Sequence, residues 1–131
     1  MQEVEFARET LRFAQTFLHM GVTNPWLYRM LLGRLYYAAH HLGRRLLIEI
    51  GIQPDQWRAN VHQQVLNELN QQYVATGRMT VDAWRALSHL RNLRRRADYE
   101  LAIPIRLRDV NHAVALFIRF ADECYQILGV S

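Results

Sequence analysis

The chain has 131 residues, half of them hydrophobic and 21% charged, with a formal net charge of +4. That length suits one domain, residues 1–131, with its own hydrophobic core, and the composition excludes wholesale disorder. A single cysteine, Cys124, excludes an internal disulfide and fits a reducing cytoplasm.

All 16 basic residues are arginine. Arginine stays charged, grips phosphate bidentately and stacks on bases, so this usage suits nucleic-acid contact. A coding bias against lysine gives the same count.

The N-terminal MQEVEFARET is acidic and amphipathic, without the basic start and apolar block of a signal peptide. No apolar run approaches the roughly 20 residues that span a bilayer, so no membrane association is expected. In the first segment, 2–20, Val4, Ala7, Leu11, Ala14 and Leu18 recur at steps of three and four. GVTNP then supplies a stop at Gly21, a cap at Asn24 and Pro25 at the first position of the next helix. The second segment, 25–50, carries an apolar spine of Leu27, Leu31, Leu35, Ala38, Leu42 and Leu46. GIQPDQ repeats the device, with Gly51 as stop and Asp55 as cap of a third segment at 57–76. TGRMT ends that segment at Gly77 and caps a fourth, 81–100, with Thr80. Pro104 breaks the chain again before a fifth, 108–128, in which Val110, Ala113, Phe117, Ala121, Cys124 and Leu128 keep helical spacing up to Gly129. Nothing alternates with a period of two. The expected fold is all-α, an antiparallel up-and-down four-helix bundle with one additional shorter helix.

Two polar stripes lie against this apolar pattern. On the second segment Arg34, Tyr37, His41 and Arg45 flank the spine, which suggests a cleft or a subunit contact; arginines snorkelling from a core edge give the same stripe. On the fourth, LRNLRRRADYE places four arginines within six residues. Its core face comprises Ala83, Ala86, Leu90, Leu93, Ala97 and Leu101. At 100° per residue Arg94 falls within about 60° of that face's centre, with Asp98 and Arg91 at its rim. Arg95 and Arg96 point outward. A half-buried arginine needs a partner, and Asp98 stands at the (i, i+4) position. An intrahelical lock and the wall of a cleft both satisfy that spacing. His40 and His41 are adjacent, so they diverge on a helix and make a poor metal pair. No HExxH, Cys/His box, phosphate-gripping glycine loop or nucleophile elbow is present, so no cofactor or metal is expected.

GRLYYAAHHLGRRLL, then VHQQVL, then LRNLRRRADYE together resemble the HEPN family of small helical-bundle proteins, over roughly Pro25 to Leu128. Arg34, Tyr36, Tyr37 and His41 match its opening motif, His62 its third-helix histidine, and Arg94, Asp98 and Tyr99 its closing motif. The resemblance implies a bundle, usually dimeric, that acts as a metal-independent ribonuclease. Many members are toxins encoded beside a nucleotidyltransferase partner; others are accessory or nucleotide-binding domains. The family's usual signature leaves four to six residues between an arginine and a following histidine. Here those positions hold Arg96, Ala97 and Asp98 after Arg91, and Tyr99, Glu100 and Leu101 after Arg94.

Metal-free RNA cleavage needs a deprotonated 2′-hydroxyl, a stabilised phosphorane and a protonated leaving oxygen. Arg94 and Arg91 can stabilise charge, and Asp98 can hold Arg94. A carboxylate beside arginines is a feeble proton shuttle near pH 7, so His62 or His41 has to move the proton. Arg91, Tyr99, Arg34 and Tyr37 are the candidate RNA or nucleotide contacts. The expectation is a ribonuclease working as a toxin or in defence, homodimeric, with a nucleotidyltransferase-type partner. The alternative is a non-catalytic module binding a nucleotide, RNA or a partner through the same cleft.

Overall fold

A computed structural model describes residues 1–130. In chain order they form α1 (Gln2–His19), α2 (Pro25–Glu49), a 3₁₀ turn (Pro54–Gln56), α3 (Val61–Leu69), a π-helical turn (Asn70–Val74), α4 (Val81–Tyr99) and α5 (Leu107–Leu128). The protein is all-α, with no strand among the described residues. None of its helices is long and apolar enough to cross a membrane.

The helix ends follow local chemistry. The Asn24 side-chain oxygen accepts from the Trp26 and Leu27 amides at 2.9 and 3.3 Å, with Pro25 beginning α2. The Thr80 hydroxyl accepts from the Ala83 amide at 3.1 Å. Thr80 also gives its own N–H and O–H to Glu123, at 2.8 and 2.6 Å, which pins the start of α4 to α5. Gly129 closes α5 at φ 72°.

The third helix departs from expectation at both ends. It begins at Val61 rather than at 57, because Pro54–Gln56 take a 3₁₀ turn and Asn60 sits in the left-handed region at φ 55°. Asp55 caps nothing there; its carboxylate pairs with Arg44 of α2 instead. Beyond Leu69 the hydrogen bonding widens by one residue, so the Ala75 amide reaches the Asn70 carbonyl at 2.8 Å. That wide turn brings Tyr73 fully inside, where its hydroxyl donates to the Leu46 carbonyl.

Helix α2 is central and touches each of the other four helices. It is therefore buried on both sides of its spine: Leu31, Leu35, Ala38, Leu42 and Leu46 on one, Leu32, Tyr36, Ala39, Gly43 and Leu47 on the other. Leu27 is only half-buried, and Leu101 falls beyond the end of α4 and is exposed. At Gly43 a Cβ would stand 3.1 Å from Leu69 and 3.2 Å from Val65, so glycine is what lets α3 approach this closely.

One polar contact fixes α4 against α2. Arg29, only 7% exposed, sends its guanidinium into the C-terminal end of α4. It donates to the carbonyls of Ala97 at 2.8 Å, Leu101 at 3.2 Å, Arg96 at 3.3 Å and also Ile103, while Trp26 covers it at 5.6 Å. These carbonyls cluster at the negative pole of the helix dipole: those of Arg96 and Ala97 end α4, the first also accepting from the Glu100 amide at 3.0 Å, and those of Leu101 and Ile103 belong to the turn that follows. Replacing Arg29 by leucine removes all of the guanidinium's bonds at a buried position, and the expected loss of stability is about 3 kcal/mol by urea denaturation. Arg29→Lys should recover less than half, since a compact ammonium cannot span the same carbonyls. A loss below about 1 kcal/mol for Arg29→Leu would show that water replaces the clamp.

Candidate functional site

The site is assembled around Tyr36, which is 2% exposed in the middle of α2. Its hydroxyl lies 2.6 Å from Nδ1 of His62, in the first turn of α3. One turn along α2, the His40 ring packs on the His62 ring with centroids 4.4 Å apart. From α4, the Arg94 guanidinium carbon stands 5.8 Å from the Tyr36 ring centroid, within cation–π range. Arg94 Nε also bonds Asp98 Oδ2 at 2.9 Å, and its guanidinium lies 5.9 Å from the ring centroid of exposed Tyr99. One turn earlier, Arg91 donates to the Gln63 side-chain oxygen at 2.8 Å, tying α4 to α3. Spacings of three and four put Tyr36 with His40, and Arg91 with Arg94 and Asp98, on single helix faces.

The electrostatics follow from burial among cations. Burial pushes the Tyr36 phenol up to about 12 against the opposing pull of Arg91 and Arg94. His40 is pushed down to about 3, first by burial and then by His62, His41, Arg44 and Arg91. His62 is lowered by burial, then by Arg94, Arg91 and Arg44. At pH 7 the phenol and both imidazoles are therefore neutral, and the positive charge of the site sits on its arginines.

The structure divides the residues singled out in the sequence. His62, Arg91 and Arg94 converge on Tyr36. Arg34, Tyr37, Arg94 and Asp98 line a groove of about 330 Å³ between α2 and α4, with Gly33 and Arg29 beside them. His41 goes elsewhere: its ring meets Tyr37 edge-on at 4.6 Å and Phe6 of α1 at 6.1 Å. Its pKa is lowered, first by burial and then by Arg44, against the opposing pull of Glu3 and Asp55. Arg95 and Arg96 are exposed on the outer face of α4. Neither His40 nor the bridging position of Tyr36 stands out in the sequence. Their (i, i+4) spacing is the one local signal, and it lies on the flank of α2 opposite the polar stripe.

No protein-family model matches the chain, and no curated protein matches it.

The depressed histidines have a consequence for stability. As pH falls from about 6.5 toward 3, the unfolded chain binds a proton on His40 that the folded chain refuses. Stability is thus complete above about 6.5 and is lost across that window, at up to about 1.4 kcal/mol per pH unit for each such proton. Urea unfolding at pH 7.5 and 5.0 should show the drop, and His40→Asn should lessen it, leaving the smaller part that His62 and His41 contribute. A wild-type stability equal at both pH values would mean that His40 titrates normally.

Proposed function

We propose that this protein is a cytoplasmic HEPN-type, metal-independent endoribonuclease that acts as a toxin or in defence, its bundle an antiparallel up-and-down set of four helices plus one shorter helix. The observation that carries the reading is the 2.6 Å contact between Tyr36 Oη and His62 Nδ1, beside the guanidinium of Arg94. It supplies an oriented neutral imidazole next to a fixed cation, the pair that metal-free RNA cleavage requires.

In the tautomer with Nδ1–H donated to Tyr36 Oη, the other ring nitrogen of His62 is a free base. That nitrogen takes the proton of a 2′-hydroxyl. The 2′-oxygen closes on phosphorus while Arg94, backed by Arg91, stabilises the phosphorane. The P–O5′ bond then breaks, and O5′ leaves with a proton returned by the imidazolium. Products are a 2′,3′-cyclic phosphate and a 5′-hydroxyl. Asp98 holds Arg94 in place, and Tyr36 is a positioning residue.

A second reading, a non-catalytic RNA-, nucleotide- or partner-binding module, draws on the same site. His40, His41 and His62 are all lowered, so no imidazole in or beside the cluster stands charged at pH 7 to serve the leaving oxygen as an acid. With Tyr36 O–H donating to Nδ1 instead, the far nitrogen carries the proton. It can then bind a phosphate oxygen but accept nothing.

A labelled-RNA assay in EDTA separates the two. Under the ribonuclease reading, Arg94→Ala lowers the cleavage rate by about 10²–10³, the scale of losing one electrostatic donor. Arg96→Ala changes only salt-dependent binding. Equal losses in both variants, or no cleavage by wild type across many RNAs, would establish the binding module.

The protein is further proposed to be a homodimer that brings two copies of α4 together in a shared cleft, regulated by a nucleotidyltransferase-type partner. The large side chains exposed around the end of α4, Trp26 at 61%, Tyr99 at 73% and Leu101 at 59%, support such a contact. Light scattering at micromolar concentration should give twice the 15.5 kDa chain mass. A species of 15.5 kDa alone would remove the shared cleft.

A further inference from the structure

Two glycines interrupt the interior of α2, and packing requires only one of them. At Gly43 any side chain would press on Leu69 and Val65. At Gly33 the backbone is ordinary helix, and within 4 Å an added Cβ would meet only Asp98 Oδ1, at 4.0 Å. A mid-helix glycine weakens the helix relative to alanine, so the fold alone does not call for one here. What Gly33 does is leave space. It lines the α2–α4 groove one residue before Arg34 and one turn before Tyr37, opposite Arg94 and Asp98.

The groove's chemistry is that of a nucleotide. Arg34 makes no ion pair among the described residues, and the single carboxylate, Asp98, is shared with Arg94, so the groove is net cationic. Tyr37 is 45% exposed and presents an aromatic side chain beside those arginines. A cationic groove with an exposed aromatic is how proteins hold single-stranded nucleic acid, by phosphate contact and base stacking. A volume near 330 Å³ is at the small end of ligand clefts and suits one nucleotide. A duplex fits poorly, because its bases are already paired and stacked and offer no free ring face.

We propose that this groove seats one nucleotide of a single-stranded RNA, its phosphate between Arg34 and Arg94 and its base on Tyr37, over a floor that Gly33 keeps open. This rests on the RNA reading above and adds the form of the RNA and the place of the neighbouring base. Because Arg94 belongs both to the groove and to the Tyr36–His62 cluster, a base held on Tyr37 delivers the adjoining phosphate to that cluster.

The test uses the full chain and a fluorescein-labelled 2′-O-methyl RNA of mixed sequence, which cannot be cleaved through its 2′-oxygen, alone and annealed to its complement. Wild type should bind the single strand about tenfold more tightly than the duplex, the worth of one base stack. Gly33→Leu should abolish that difference, and Tyr37→Ala should do the same while Tyr37→Phe retains it. Gly33→Ala serves as the folding control: its melting temperature should rise by a few degrees while single-strand affinity falls. Equal binding of both RNA forms by wild type overturns the proposal, as does a Gly33→Leu variant that is folded and binds like wild type. A Gly33→Leu variant that loses dimerisation and keeps its RNA affinity would make the groove a contact between copies, and equally overturns it. Arg94→Ala losing RNA while Gly33→Leu does not would leave the RNA reading standing and remove only the groove. No binding of any RNA by wild type would remove both.

Discussion

The arrangement of the site depends on a buried arginine that makes no ion pair among the described residues. Arg29 lies at an α-helix end, where several carbonyls converge and the dipole is negative, so its burial is offset by hydrogen bonds rather than by an ion pair. The planar fork of a guanidinium can bridge carbonyls from Arg96 to Ile103, which a lysine cannot. The clamp sets the last turn of α4 relative to α2. Asp98 sits in that turn and Arg94 one turn before it, and Tyr36, Gly33 and Tyr37 lie on the α2 segment they face.

At the other end of α4 the constraint is different. Thr80 and Glu123 hold its first turn to α5, and Arg91 reaches Gln63 of α3. Helix α4 is thus fixed at its start, middle and end to three separate elements. The close seating of α3 on Gly43 then carries His62 to Tyr36. The result is a row of neutral rings from α2 and α3 bordered by Arg91, Arg94 and Arg44, with Asp98 as the carboxylate paired in the groove. Such a surface favours anions by its uncompensated charge, and the neutral histidines leave the choice of proton position to a single hydrogen bond.

The sequence by itself determined the helices. Asn24, Pro25, Thr80 and the end glycines act within a turn of where they stand, so their effects were legible without any partner. The (i, i+4) link between Arg94 and Asp98, and the outward direction of Arg95 and Arg96, were legible for the same reason, being set by one helix's own periodicity. The third helix resisted because its start depends on Arg44 drawing Asp55 away and its end on Tyr73 reaching Leu46, both long-range contacts. Only the tertiary structure decided which side of α2 is functional. A helix surrounded by four others has two internal flanks, and periodicity cannot rank them. That His62 rather than His41 stands by Arg94, that Tyr36 joins them, and that Gly33 borders a groove while Gly43 meets a neighbour all depend on which helix lies against which face. Those distances are set between elements far apart in the chain, where local pattern has no reach.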